Sequence, residues 1–312
     1  MSPQGSLYFG TCSWTDRSLV GSGLFYPPWV RTPEDRLRFY ASQFPIVEVD
    51  SSYYGMPTER NSALWVERTP ESFRFHIKAF RLFTHHPTPP LALPRDLLAE
   101  LPQELQGKAN LYLRDVSRDV ALELWQRFER ALLPLESAGK LGAVLLQFPP
   151  WFFPGRESRA YLVSCQERLP QYRLAVEFRG AAWLSERNRE EHLRFLREQR
   201  LTFVCVDEPQ RFRSSLPPEA EATTELAYVR FHGRNRETWE ARGKAASERF
   251  NYYYQEGELE EWVPRVRSLQ EVAREVHLLF NTNYRDQGVV NARKMAMLLG
   301  APLPGLALVE PP

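Results

Sequence analysis

The stretch FRFHIKAF at residues 73–80 alternates apolar and polar side chains. In a β-strand, neighbouring side chains point to opposite faces, so one face carries Phe73, Phe75, Ile77 and Ala79, and the other carries Arg74, His76 and Lys78. A parallel strand that is covered on both faces normally has an unbroken apolar sequence. The alternation therefore predicts a closed barrel, with the apolar face against helices and the polar face pointing inward.

Strand-like and helix-like stretches alternate along most of the 312 residues. The predicted strands are Tyr8–Trp14, Ile46–Tyr54, Phe73–Phe80, Gly142–Phe148, Leu174–Arg179, Thr202–Asp207, Ala227–Gly233 and Val276–Asn283. The predicted helices are Pro33–Gln43, Glu59–Arg68, Arg118–Ser137, Glu157–Leu169, Asn188–Gln199, Leu259–Glu275 and Val289–Leu299. This order predicts a parallel sheet, and its length is that of one α/β, TIM-like (β/α)₈ barrel. A doubly wound sheet in two domains is the alternative, but the chain has neither a mid-chain linker nor a Gly-rich dinucleotide turn.

The prediction is a single TIM-like barrel domain over residues 1–312, with long loops at 81–117 and 233–257. The net charge of +1 gives no global attraction to nucleic acid or to an anionic membrane. Cys12, Cys165 and Cys205 are scattered and odd in number, which favours a reducing compartment. We see no signal peptide and no apolar run long enough to span a bilayer, so a cytoplasmic location without membrane contact is expected.

Polar side chains recur at the inward positions of the predicted strands. The upper half of the barrel collects Glu48, Asp50, His76, Lys78, Gln147, Glu177, Arg179, Arg230, His232, Asn281 and Asn283. One interpretation is a lattice of ion pairs that replaces hydrophobic layers in the barrel. The other is a ligand site at the C-terminal mouth, where barrel enzymes place their chemistry. Because Lys78, Glu177, Arg179, His232 and Asn283 lie at or near the C-terminal ends of their strands, the second interpretation is favoured.

The two long loops add candidate binding residues. The first contains His85 and His86 and has no obvious helix of its own, which is typical of a lid or a binding element. The second mixes basic residues with Trp239 and Tyr252–Tyr254, a combination that suits phosphate contact and stacking. A tyrosine cluster that packs the second loop onto the barrel is an equal alternative for the tyrosines.

No motif of a serine hydrolase, zinc protease or P-loop occurs in the chain, and no cofactor is required by the sequence. Four histidines, His76, His85, His86 and His232, stand beside the acidic residues Asp50, Glu177 and Asp207 in the predicted fold. A divalent metal site is therefore feasible. The many lysine and arginine residues in the same mouth weigh against it, and we predict no metal ligand.

Several segments resemble the YecE-like family, which is domain of unknown function family number 72. They are GTCSW (10–14), EVDSSYY (48–54), FHIK (75–78) with Thr84 and His85, QFPP (147–150), VEFR (176–179), RFHGRN (230–235) and FNTN (280–283). The resemblance implies a TIM-like barrel. A similarity suggested for relatives would also imply an endonuclease IV-like metal-dependent phosphodiesterase. Many relatives carry His where this chain has Gly180 and Asn where it has Asp50.

The residues and the resemblance lead to three functional hypotheses. The first is an enzyme, with the class left open between hydrolase and lyase, that acts on a phosphate ester or a nucleotide-like anion by acid/base chemistry. The second is a non-catalytic binder of nucleic acid or nucleotides, and the third is the metal-dependent phosphodiesterase. No protein partner is inferable. The predicted catalytic residues are Glu177, His232, His76 and Asp50. The predicted substrate-binding residues are Lys78, Arg179, Arg230, Arg234, Asn235, Gln147, Tyr54, Trp14, Asn281, Asn283, His85 and Trp239.

Overall fold

The computed structural model describes residues 4–241, 246–301 and 303, and its eight parallel strands close into a barrel in sequence order. The predicted fold class is confirmed. The strands are β1 Ser6–Thr11, β2 Ile46–Val49, β3 Arg74–Lys78, β4 Leu141–Gln147, β5 Leu174–Glu177, β6 Thr202–Asp207, β7 Leu226–Phe231 and β8 Glu275–Phe280. Strand β8 pairs with both β7 and β1, and this pairing closes the sheet.

Helices follow most of the strands. The α-helices are α1 Arg17–Ser22, α2 Pro33–Gln43, α3 Ser51–Tyr54, α4 Glu59–Glu67, α5 Arg95–Glu100, α6 Gln103–Gln106, α7 Arg118–Ser137, α8 Arg156–Arg168, α9 Arg189–Glu198, α10 Ala246–Arg249, α11 Glu256–Glu260, α12 Val263–Val272 and α13 Gln287–Leu298. Three short 3₁₀ helices cover Pro90–Ala92, Leu113–Asp115 and Ala181–Leu184. Among the described residues, no helix is both long and apolar enough to cross a membrane.

The second predicted strand ends earlier than expected. It stops at Val49, and residues 51–54 form helix α3 instead. The hydroxyl group of Ser52 donates to the carbonyl oxygens of Val49 and Lys78, each at 2.6 Å, and these bonds fold the chain over the strand ends. The fifth, seventh and eighth strands are also shorter than predicted at their C-terminal ends. Their last predicted residues therefore lie in the loops of the mouth.

Two helix predictions are wrong. The helix predicted over Leu259–Glu275 is divided into α11 and α12, and Glu275 begins β8. The division falls at Trp262, which is fully buried and whose indole N–H donates to Asp207 at 2.6 Å. The loop at 81–117 contains α5 and α6, although no helix was expected there. Pro94 and Pro102 precede these two short helices, at the helix starts that proline favours. The segment 208–225 has no helix, as predicted.

The barrel wall separates two environments. Its outward residues, such as Phe75 and Ile77, are buried against the helix layer. Helix α7 contributes the apolar residues Val120, Leu124, Phe128, Leu132 and Leu135 to that layer. The inward residues are aromatic, imidazole and charged groups, and they include Tyr228, His76 and Arg230. The inward face of the strands therefore carries polar groups to the mouth, as the alternation predicted.

Candidate functional site

Arg230 is the centre of the charged network inside the barrel, and its side chain is fully buried. Its Nη2 lies 2.5 Å from Oε1 of Glu48, and its Nη1 pairs with Oε2 of Glu177. Tyr228 donates its hydroxyl hydrogen to the other oxygen of Glu48 at 2.5 Å. Buried charges need such partners because each one loses several kcal/mol of hydration when it is removed from water.

Glu177 is the most heavily coordinated carboxylate of the network. Its Oε1 accepts hydrogen bonds from Gln147 at 2.6 Å and from His232 at 3.1 Å, and the Nε of Arg179 lies 2.8 Å away. Burial acts to raise the pKa of Glu177, but Arg230 and Arg179 outweigh it and hold that pKa well below its usual value. Glu177 is therefore ionised, and its carboxylate binds the neighbouring donors Gln147, His232 and Arg179.

A directed chain of hydrogen bonds joins Glu177 to the mouth. Asn283 donates to Oδ1 of Asn281 at 3.0 Å, and the Nδ2 of Asn281 lies 3.0 Å from Nδ1 of His232. Since an amide nitrogen only donates, Nδ1 accepts, and Nε2 faces both Oε1 of Glu177 at 3.1 Å and Nη2 of Arg179 at 3.2 Å. Burial and the charge of Arg179 lower the pKa of His232 to about 3, so this ring is neutral at neutral pH.

Lys78 and Asp50 form the part of the network that is open to solvent. The Nζ of Lys78 lies 3.1 Å from Oδ1 of Asp50, and the Asp50 side chain is 21% exposed. Lys78 also lies over the ring of Tyr53, 4.8 Å from its centre. Burial acts to lower the pKa of Lys78, but the charges of Asp50 and Glu48 raise it above its usual value. Lys78 is therefore a protonated cation at the floor of the mouth.

Arg179 is the second cation at the edge of the network. Its side chain is 12% exposed, its Nη1 lies 2.9 Å from Glu208, and its guanidinium stacks over the ring of Trp239 at 4.9 Å. Glu208 was missed by sequence reasoning because it lies one residue beyond the end of β6. Burial raises the pKa of Glu208 to about 8, despite the neighbouring Arg179.

His86 is a second residue that was absent from the predicted site. Its ring lies 5.3 Å from Tyr53 and 6.2 Å from Trp151, and its Nδ1 shares a hydrogen bond of 3.0 Å with Thr84. Burial first, and then the charges of Lys78, Arg81 and Arg179, lower its pKa to about 3. His86 thus contacts Tyr53, the ring over which Lys78 lies. The adjacent pair of histidines in the loop was the only sequence signal for it.

His76 lies deeper in the barrel than the mouth residues. Its Nε2 lies 2.8 Å from Nδ1 of His277, and its ring stacks on Tyr228 at 4.7 Å. Burial and the adjacent His277 hold the pKa of His76 well below its usual value. Its hydrogen-bonded partner is therefore another buried histidine rather than a carboxylate of the mouth.

The loop at 233–257 is tied to the barrel by Asp207. Arg234 donates to both oxygens of this carboxylate, and Tyr254 donates to Oδ1 at 2.6 Å. Asn235 donates to the backbone of Asn251 at 3.2 Å, within the same loop. These contacts match the alternative in which the tyrosines pack the loop onto the barrel. The basic residues Arg242 and Lys244 lie outside the described residues.

Besides Arg234 and Asn235, three predicted binding residues lie away from the charged network. Trp14 is buried and packs edge-on against Trp65 and Phe75 in the helix layer. Tyr54 is 56% exposed and contacts Tyr53, which is the tyrosine that faces Lys78. His85 packs against Phe152 and Tyr161 and lines a separate pocket. The network thus brings together Glu48, Asp50, Lys78, Gln147, Glu177, Arg179, Arg230, His232, Trp239, Asn281 and Asn283.

The side chains of the mouth do not fit a metal centre. In the part of the chain that the structure describes, no three His, Cys, Asp or Glu residues are grouped closely enough to hold an ion. Glu177 and Glu208, the buried carboxylates nearest to His232, are paired with arginine instead. The donor set is therefore that of an ion-pair network.

Comparison with known proteins gives one family across nearly the whole chain. The model of "Protein of unknown function DUF72" matches residues 8–311. The UPF0759 protein YunF of Bacillus subtilis (strain 168) is 34% identical over 305 residues, which are 96% of this chain and 97% of YunF.

Solved structures of DUF72 proteins share the fold. A crystal structure from Thermotoga maritima MSB8 is 31% identical, covers 95% of this chain and 99% of its own, and has a TM-score of 0.73. One from Enterococcus faecalis V583 is 27% identical, covers 97% of this chain and 100% of its own, and has a TM-score of 0.75.

Proposed function

Since this chain belongs to the DUF72 family, as its resemblance to YecE-like proteins indicated, and no activity follows from that membership, we propose a function from the mouth itself. The protein is an enzyme that binds an anionic substrate, a phosphate ester or nucleotide-like molecule, and transfers a proton at the C-terminal end of the barrel. The observation that carries this proposal is the position of Lys78 and Arg179, with Asp50, at the solvent-facing edge of a network whose centre is sealed.

The two edge cations are the groups that contact the anion. Arg230 is fully buried between two carboxylates, so it cannot contact a ligand, and Arg234 joins the loop at 233–257 to Asp207 and Glu261. Lys78 and Arg179 are also paired with carboxylates, but they line the mouth itself. Lys78 and Arg179 keep exposed fractions of 11% and 12%. Lys78 approaches Asp50, which lies 4.0 Å from Arg230, and Arg230 shares Glu177 with Arg179, so the same network carries both cations. Lysine and arginine are the usual partners of phosphate oxygens.

Asp50 is the carboxylate that we assign to proton transfer. No described residue donates a hydrogen bond to its carboxylate, although Lys78 lies 3.1 Å from Oδ1. Glu177, in contrast, is fully buried and surrounded by donors, so we assign it and His232 to holding Arg179 in place. In hydrolysis of an ester, Asp50 accepts a proton from the attacking water as the water oxygen bonds to phosphorus. The bond between phosphorus and the leaving oxygen breaks, the leaving oxygen takes a proton from solvent, and Asp50 releases its proton to solvent.

We place the enzyme in the cytoplasm. The support for this location is that Cys12, Cys165 and Cys205 are all free thiols and all buried.

Calorimetric titration with inorganic pyrophosphate at low and moderate salt tests the anion site. Lys78→Met and Arg179→Met are expected to weaken binding at least about tenfold, because each removes a charge from the anion's surroundings. Lys108→Met is the matched control, since Lys108 also forms an ion pair with an aspartate, Asp115, but lies on the surface. Equal affinity in all variants, or no binding by the native chain at millimolar pyrophosphate, would contradict the site.

Turnover of mononucleotides and of bis(4-nitrophenyl) phosphate tests the chemistry. Asp50→Asn is expected to abolish turnover and to retain pyrophosphate binding, because the cations remain in place. Turnover that survives in this variant removes Asp50 from the mechanism. Salt-sensitive binding without any turnover supports the hypothesis of a non-catalytic nucleotide or nucleic-acid binder instead.

A further inference from the structure

A second cavity lies at the same end of the barrel as the charged network. It has a volume of 610 Å³ and lies between the loop that follows β3 and the loop that follows β4. Its walls include His85, Tyr112, Arg114, Trp151, Phe152 and Tyr161. Cavities of this size with aromatic walls and a few polar groups are typical of sites for small organic molecules.

The wall of this cavity is rigid because aromatic rings support it from behind. Phe152 stacks on Phe148 at 4.0 Å and on Trp183 at 5.6 Å, and Trp183 stacks in turn on Phe178 at 3.9 Å. The indole N–H of Trp183 donates to the carbonyl oxygen of Phe152 at 2.6 Å. The adjacent Trp151 remains 52% exposed. The fold thus presents an open indole beside a fixed aromatic surface.

Aromatic contacts connect this cavity with the cations of the mouth. Trp151 contacts His86, His86 contacts Tyr53, and the Nζ of Lys78 lies 4.8 Å above the centre of the Tyr53 ring. A ligand whose anionic group lies at Lys78 can therefore extend along these rings and place a planar group against Trp151.

Two polar residues distinguish the cavity from an apolar groove. Arg114 is exposed, lies over the ring of Tyr112 at 5.2 Å and forms no ion pair with any described residue. Its N–H groups are free to donate to acceptors on the edge of a bound ring. His85 has a φ of 59°, in the left-handed region that residues other than glycine seldom adopt. Strained backbone of this kind concentrates at ligand sites.

We propose that this cavity binds the base of a nucleotide whose phosphate is held at Lys78 and Arg179. The base stacks on Trp151, and the Arg114 guanidinium donates to its acceptor edge, as arginine does to N7 and O6 of guanine. This inference rests on the proposed function and adds to it the class of substrate, a guanine-type nucleotide.

Calorimetric titration with GMP, guanosine and ribose 5-phosphate tests the proposal. The native chain is expected to bind GMP about tenfold more tightly than ribose 5-phosphate, in the range typical of one base stacked on an aromatic side chain. Trp151→Ala is expected to abolish this advantage. Trp29→Ala is the matched control and is expected to keep it, because Trp29 is 66% exposed and packs on Phe39 instead. Arg114→Gln, a change of an exposed side chain, is expected to weaken the binding of GMP and to leave the affinity for ribose 5-phosphate unchanged.

The three ligands separate failure of this inference from failure of the proposed function. Equal binding of GMP and ribose 5-phosphate, or a GMP advantage that survives in Trp151→Ala, overturns the base pocket and leaves the anion site intact. Guanosine binding that depends on Trp151, without any binding of ribose 5-phosphate, supports the pocket and contradicts the anion site. If none of the three ligands binds at millimolar concentration, both the base pocket and the anion site are overturned.

Discussion

The guanidinium group of Arg230 and the carboxylate of Glu177 form an ion pair in which neither side chain is exposed to solvent. The two residues are 53 positions apart in the chain and come from strands β7 and β5. The pair is completed by Glu48 on the other side of the guanidinium. The barrel therefore encloses its central cation before any ligand arrives.

We predict that Glu177→Gln lowers the free energy of unfolding by about 3 kcal/mol, because it leaves Arg230 and Arg179 with one fewer buried counter-charge. Urea denaturation measures this change. The matched control is Glu123→Gln, which breaks the exposed ion pair with Arg127 and is expected to cost about 1 kcal/mol or less. Similar losses in the two variants would mean that the buried network contributes no more to stability than a surface pair.

Asp50→Asn is expected to increase pyrophosphate affinity about fivefold at low salt, because the change removes a negative charge 3.1 Å from Lys78. Calorimetry measures the change, and it should shrink as salt is added. Asp115→Asn, beside Lys108 at 3.2 Å, is the control and should leave affinity unchanged. Weaker binding in Asp50→Asn would show that the carboxylate itself contacts the ligand.

The buried His277 makes stability depend on pH. Burial and the charges of Arg173 and Arg74 lower its pKa to about 3, below the value of 6.5 expected in the unfolded chain. The contribution of neutral His277 to the free energy of unfolding is therefore fully present above pH 6.5 and is lost as the pH falls from 6.5 towards 3. Between pH 7.5 and pH 5 this loss is about 2 kcal/mol.

His277→Asn removes this titrating group. From pH 7.5 to pH 5, the free energy of unfolding of the variant should therefore fall by about 2 kcal/mol less than that of the native chain. Urea denaturation of both proteins at pH 7.5 and pH 5 measures the difference. The comparison uses each protein's own pH dependence, so a constant cost of the substitution does not enter. Parallel pH profiles would show that His277 is not kept neutral by its surroundings.

Gly233 lies two residues beyond the end of the seventh strand, has a φ of 81° and donates its N–H to the hydroxyl of Tyr254 at 3.0 Å. A β-carbon there would lie 2.5 Å from that of Tyr252. Gly233→Ala should therefore cost roughly 2 kcal/mol or more, measured by thermal unfolding. Gly257→Ala is the control, because a β-carbon at this helical position meets no atom within 4 Å, and it should be neutral or stabilising. Equal melting temperatures for the two variants would refute the steric argument.

The alternation in the strands was enough to predict the barrel and the inward direction of its polar residues. Arg230 and Arg179 both follow from that pattern, because the side of a strand to which a residue points is a local property of the backbone. The short helices at 95–106 and the break at Trp262 were not predicted. They depend on proline positions and on a hydrogen bond to a distant aspartate.

The sequence by itself determined which residues lie inside the barrel, and only the tertiary structure decided what each of them does there. Arg230 and Arg179 were equivalent as predicted anion ligands, yet Arg230 is sealed between two carboxylates and Arg179 reaches the mouth. In the same way, His86 contacts Tyr53, the ring beneath Lys78, while its neighbour His85 lines the aromatic cavity. The physical reason is that a charge is neutralised by partners from distant parts of the chain, whose distances are set when the barrel closes and not by local spacing.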